Sequence, residues 1–263
     1  MPASPWFAAL LALFIWWFST GAILWRVKSA DRSGGTAHVR SVVLALPLFM
    51  VGIAGLVVTA TVTTTGGVYL AFLSALAVWG WIELAFLSGV ITGPQPVECP
   101  PGAPDRERFF RAWGALAYHE ILLATGLVLV LALATMATNT VGIWTYGILY
   151  LARLSAKLNI YFGVPRINTE FLPLTLTHLK SHLRRRSVAW FFPVSAVALG
   201  LATATWVSLL GTATGAPATV GYALLATLTA LALLEHAFMV LPVPDQILWR
   251  WMIPAPVAKP NDN

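Results

Sequence analysis

Residues 112–135 read AWGALAYHEILLATGLVLVLALAT, and in this stretch the adjacent His119 and Glu120 interrupt a mostly apolar text. A bilayer core of about 30 Å needs about 20 mostly apolar helical residues at 1.5 Å each, and this segment supplies them. Six further stretches do the same, at residues 6–25, 42–62, 68–91, 141–158, 188–211 and 218–241. The whole chain agrees, being 58% hydrophobic and 10% charged with a mean hydropathy of +0.78. One aqueous core cannot hide that much apolar surface, so the chain is expected in a membrane.

Long continuous runs call for helices, because a β-barrel would alternate apolar and polar residues in short segments. The expected fold class is an all-α integral membrane protein, a single seven-helix membrane domain over residues 1–263. Pro47 and Pro193 fall in the first turn or two of their helices, where a missing N–H is tolerated. Arg153 and Lys157 sit in the last turns of the fifth span and are expected to snorkel toward headgroups.

All 16 Lys and Arg fall in four segments: after span one, after span three, around and after span five, and in the tail. Loops near 63–67, 136–140 and 212–217 have none. The positive-inside rule then puts the N-terminus in the periplasm and the C-terminus in the cytoplasm. Residues 159–187 become a cytoplasmic loop and 242–263 a cytoplasmic tail. Span one has no basic residue before it and its first charge is Arg26, so it reads as a retained anchor and not a cleaved signal.

The net charge of +6 lies on one side of the membrane, where topology and anionic lipid explain it, and no nucleic-acid partner is expected. Arg184, Arg185 and Arg186 are read as such a flank. Cys99 is the only cysteine, which leaves no intrachain disulfide. No phosphate loop, zinc-protease helix, hydrolase elbow or internal repeat is found. The four lysines lie in loops or at a span end, which argues against a retinal Schiff base. A transporter is weakly supported by the Thr-rich spans.

One polar stretch breaks the greasy text, KLNIYFGVPRINTEFLP at 157–173. Gly163 and Pro165 end a helix there, and Asn168, Thr169, Glu170 and Pro173 suggest entry to another. Leu172, Leu176, Leu179 and Leu183 then recur at helical spacing, with His178, Lys180, His182 and Arg184 between them. This predicts an amphipathic helix on the membrane surface between spans five and six. His178 and His182, four apart, are expected to face solvent or headgroups.

Ionisable groups inside spans are costly and are functional candidates by default. Glu83, His119, Glu120, Glu235 and His236 are the ligand or metal candidates. Glu83 lies about 12 Å before the end of span three, His119 about 12 Å past Arg111, and Glu235 about 9 Å before the end of span seven. The five groups therefore fall in one layer of the cytoplasmic half, able to clamp helices, relay protons or hold a metal.

Residues 153–186, RLSAKLNIYFGVPRINTEFLPLTLTHLKSHLRRR, resemble the signature of the PuhE family of photosynthetic complex assembly proteins, found in bacteria that make bacteriochlorophyll. The likeness is densest in KLNIYFGVP, EFLP and the two HL pairs that follow. His182 stands where the family pattern commonly has an aromatic. The resemblance implies a multi-pass protein of the bacterial inner or intracytoplasmic membrane that assists assembly of the reaction centre and core antenna. Its partners would be the lipid bilayer and reaction-centre or light-harvesting subunits or other assembly factors. Lys157, Asn159, Phe162, Gly163, Pro165, Glu170, Phe171 and Pro173 are the docking candidates. The family context also suggests transient bacteriochlorophyll, or a precursor, with His119 or His236 as axial ligand. The alternative is an intramembrane metal-dependent enzyme of tetrapyrrole or carotenoid metabolism built on the Glu/His layer.

Overall fold

A computed structural model describes residues 2–167, 169, 172–183, 185–243 and 247–250. These residues form helices and connecting turns, with no strand among them beyond one isolated bridge between Val164 and Arg185. The helices are α1 (Pro5–Ser33), α2 (Ala37–Leu44), α3 (Leu46–Thr59), α4 (Thr65–Leu87), α5 (Asp105–Leu133), α6 (Val141–Phe162), α7 (Phe191–Gly211), α8 (Ala216–Phe238) and the short α9 (Ile247–Arg250). A 3₁₀ helix, Leu174–His182, lies between α6 and α7.

Among the described residues, six stretches are long and apolar enough to cross a membrane: Pro5–Ser33, Ala37–Thr59, Thr65–Leu87, Asp105–Leu133, Phe191–Gly211 and Ala216–Phe238. The helix over the fifth expected span, α6, has comparable length at 22 residues but carries Arg153 and Lys157, which lower its hydropathy. The second stretch starts earlier than the sequence suggested. Its helix begins at Ala37 and breaks at Ala45, because Pro47 at the start of α3 has no N–H to continue the ladder from α2.

The bundle is organised around α4, which packs against α1, α3, α5, α6 and α8. Toward its N-terminal end Tyr69 and Phe72 meet Ala8 and Ala12 of α1 and Val220, Leu224 and Leu228 of α8. Further along, Val78 and Ile82 pack with Leu56, Leu123, Val130 and Tyr146. Small residues let α3 approach closely. A Cβ on Gly52 would lie 2.9 Å from the backbone Ser74 O of α4, and one on Gly55 2.1 Å from Ser74 Oγ, so glycine at both lets α3 sit close.

The polar segment after α6 is sewn to the basic end of the bundle. Gly163, at φ +137°, ends α6 and accepts from Ala189 N at 3.1 Å, while Val164 O accepts from Arg186 N at 3.2 Å. The expected amphipathic α-helix is instead a 3₁₀ helix with a kink at Leu176. Three residues per turn align every third side chain, so Leu176, Leu179 and His182 are buried together, whereas the expected leucine stripe needed 3.6. Leu176 and Leu179 pack on Phe86 of α4 and Ala115 of α5. His178 and His182 are about 120° apart on such a helix and do not share a face.

Candidate functional site

The turn after α4 fixes the site. Gly89, at φ +71°, ends the helix, and the chain then presses along α5. A Cβ on Gly93 would meet Gly114 O at 2.2 Å and Ala115 C at 2.6 Å, so backbone lies directly on backbone. Thr92 O accepts from His119 N and Gln95 N donates to Gly114 O, both at 3.0 Å. This contact holds the α5 turn that carries His119 and Glu120.

Three helices meet there. Arg153 of α6 donates through Nη2 to Glu83 Oε2 of α4 at 2.8 Å. One turn on, Lys157 Nζ donates to Glu120 Oε1 of α5 and reaches His119 Nδ1 at 3.2 Å. The His119 ring is fully buried and stacks on Phe86 with centroids 4.2 Å apart. On the other side of the ring, His119 Nε2 faces Glu83 Oε1 at 3.6 Å. Neither of those two buried atoms has a hydrogen-bond partner. Two carboxylates and two cations thus alternate around one imidazole, a neutral set whose members satisfy one another's charge.

The five expected residues therefore divide. Glu83, His119 and Glu120 come together, while His236 faces a different partner, with Nε2 2.8 Å from Ser155 Oγ and Nδ1 2.8 Å from Ala232 O. Glu235 accepts from Trp16 Nε1 at 2.7 Å. Glu235 and His236, adjacent on α8, thus meet different partners, Trp16 of α1 and Ser155 of α6. Arg153 and Lys157 do not simply snorkel. They are i and i+4 on α6 and reach inward to the carboxylates. That spacing, set beside buried acids lacking cations of their own, was the available signal for the pairing. Nothing equivalent in the sequence pointed to Trp16 or Ser155.

No group of three or more His, Cys, Asp or Glu side chains suited to a metal ion occurs among the described residues. Glu83 and Glu120 each face a cation where a metal would need their lone pairs. A tetrapyrrole metal fits no better, for His119 is enclosed under Phe86 and both nitrogens of His236 are engaged.

The docking candidates have mixed positions. Asn159 is buried and donates to Ser195 Oγ at 2.8 Å, Gly163 and Pro173 are buried, and Phe162 rests against Trp190 and Phe191. Lys157 is in the ionic layer, and Pro165 is exposed. Glu170 and Phe171 lie outside the described residues, as do Asn168, Arg184 and residues 251–263 of the expected tail. Several ties that sequence reading missed fasten the segment. Lys28 Nζ donates to Leu172 O at 3.0 Å, Asp31 accepts from Leu174 N, and buried Arg108 donates to His182 O at 3.0 Å. The outward side of the 3₁₀ helix presents Leu174, Thr177 and Lys180.

The chain belongs to the family described as "Protein of unknown function (DUF3623)", whose model matches residues 2–259. It is 52% identical over 252 residues to the "Uncharacterized 30.4 kDa protein in puhA 5'region" of Rhodobacter capsulatus, an alignment covering 96% of this chain and 92% of the relative. No solved structure matches it.

Proposed function

We propose that this chain is a photosynthetic complex assembly protein of the PuhE type, acting by docking its partners and not by chemistry in its buried layer. The observation that carries the choice of docking is the neutral pairing of Glu83 with Arg153 and of Glu120 with Lys157. Carboxylates already matched to cations clamp α4, α5 and α6 together, and this leaves them poorly suited to a metal-dependent enzyme. The photosynthetic setting rests on the puhA region in which the relative is described and on the resemblance of residues 153–186. On this reading the chain sits in a bacterial inner or intracytoplasmic membrane, crosses it seven times with α6 as the fifth span, and has its basic end in the cytoplasm. Reaction-centre or light-harvesting subunits, or other assembly factors, dock on the surface that exposes Pro165, Leu174, Thr177 and Lys180. Bacteriochlorophyll, or a precursor, arrives with those partners, because neither candidate imidazole is open to it.

The test is mild solubilisation of a tagged chain from its native membrane, with identification of attached polypeptides and an absorption spectrum. Reaction-centre or antenna polypeptides are expected to co-purify. Leu174→Asp with Lys180→Glu, both on the exposed side, should weaken that association and reduce the yield of assembled complex. Full association and full yield in that variant would overturn docking through this surface.

A further inference from the structure

Glu235 is the third carboxyl of the layer; Arg153 acts on it electrostatically but forms its ion pair with Glu83. Glu83 takes Arg153 and Glu120 takes Lys157, but among the described residues Glu235 enters no ion pair, and its bond is to the neutral indole N–H of Trp16. Its position on α8 is unusual as well. Leu224, Leu228 and Leu231 form a stripe at spacings of four and three, and all three are buried. Glu235 is the next member of that stripe, four residues on, yet it is exposed, as is Leu234 beside it. The helices therefore part at this level and leave a carboxyl reachable from outside the bundle. It stands one turn inside the end of α8 at Phe238, about 5 Å along the axis.

An acidic group at that depth requires a proton or a cation, and the same layer supplies a basic side chain from a neighbouring helix to each of its other two carboxylates. We propose that Glu235 is the docking point for a basic side chain carried on a membrane segment of a partner protein, an inference that rests on the assembly function above and adds a contact within the bilayer. Trp16 fixes one oxygen and leaves the other to receive the incoming group. The charge sign selects the partner side chain as Arg or Lys, and the exposed apolar Leu234, next to Glu235 on α8, provides surface for the rest of its segment.

The experiment replaces Leu234 with a photo-cross-linking phenylalanine analogue in the full chain, irradiates native membranes, and identifies the adducts. A membrane polypeptide of the photosynthetic apparatus is expected, cross-linked at least about tenfold less in Glu235→Gln and restored in Glu235→Asp. The melting temperature of the purified chain should be the same in all three. Where Glu235→Gln does not accumulate, changing the basic residue of the cross-linked partner to glutamine reads the same contact. Lipid adducts alone, or undiminished cross-linking in Glu235→Gln, would overturn the inference. Photosynthetic polypeptides co-purifying equally with wild type and Glu235→Gln would also overturn it while leaving the assembly function intact. A cross-linked polypeptide from outside the photosynthetic apparatus would keep the contact and reject that function.

Discussion

Lys157→Met tests whether the buried layer is a clamp. Lys157 touches Glu120 and His119 at once, and its side chain and that of Glu120 are 20% and 11% exposed. Removing one member of a buried pair leaves the other desolvated and uncompensated, a loss of roughly 3–5 kcal/mol. The residual exposure of Lys157 favours the lower end, about 3 kcal/mol, for water can reach the orphaned carboxylate. For a chain of this size that corresponds to a fall of roughly 6–12 °C in the apparent melting temperature. Thermal unfolding in detergent, followed by tryptophan fluorescence or by loss of the monodisperse peak, measures it. Glu120→Gln added to Lys157→Met should recover a large part of the loss, since no unpaired charge then remains, with a coupling on the order of 2 kcal/mol. The reasoning is refuted if the single variant melts within about 2 °C of wild type, or if the double variant is no more stable than the single.

Gly93→Ala should destabilise by about 1–3 kcal/mol or more, because its Cβ would meet Gly114 O at 2.2 Å and Leu116 N at 2.8 Å, and backbone cannot step aside as a side chain can; the same melting assay reads it. The 3₁₀ segment should loosen in acid through His178. Burial, with a smaller contribution from His182, holds its imidazole below the ordinary value of 6.5. The unfolded segment then binds more protons in the window from 6.5 down to the folded pKa, so stability is present above 6.5 and is lost as pH falls through that window. Hydrogen exchange over residues 172–183 at pH 7.5 and 5.5, with His178→Gln removing the difference, checks the sign.

Runs of apolar residues are legible helix by helix because the bilayer fixes their length, and most expected boundaries fall within a few residues of the observed helices. Span four illustrates the error that remains. Its helix starts at Asp105 and not near 112, since Asp105 and Glu107 favour a helix N-terminus and polar residues carry the helix past the apolar run. The 3₁₀ helix was misread for a related reason. A spacing of four, three and four fits 3.6 residues per turn, but Leu174–His182 is fixed from outside, by Asp31, Arg108 and Phe86, and those ties are long-range contacts that a local pattern does not encode.

The same limit explains the candidate site. Depth placed Glu83, His119 and Glu120 in one layer, and that inference survived because depth along a membrane helix is proportional to residue number. Azimuth separates His236, which meets Ser155 and Ala232 O, while Glu235 bonds to Trp16 and stays within electrostatic reach of Arg153 and Glu83. Cost was also misassigned. Hydropathy counted one helix at a time charges Arg153 and Lys157 to α6 alone, although their charge is cancelled by Glu83 on α4 and Glu120 on α5. A helix whose cations are matched by its neighbours' anions presents a neutral group to the bilayer, and the penalty belongs to the set. That argument underlies our reading of α6 as the fifth span, and it makes the unmatched carboxyl of Glu235, not the matched ones, the place where the layer still has something to bind.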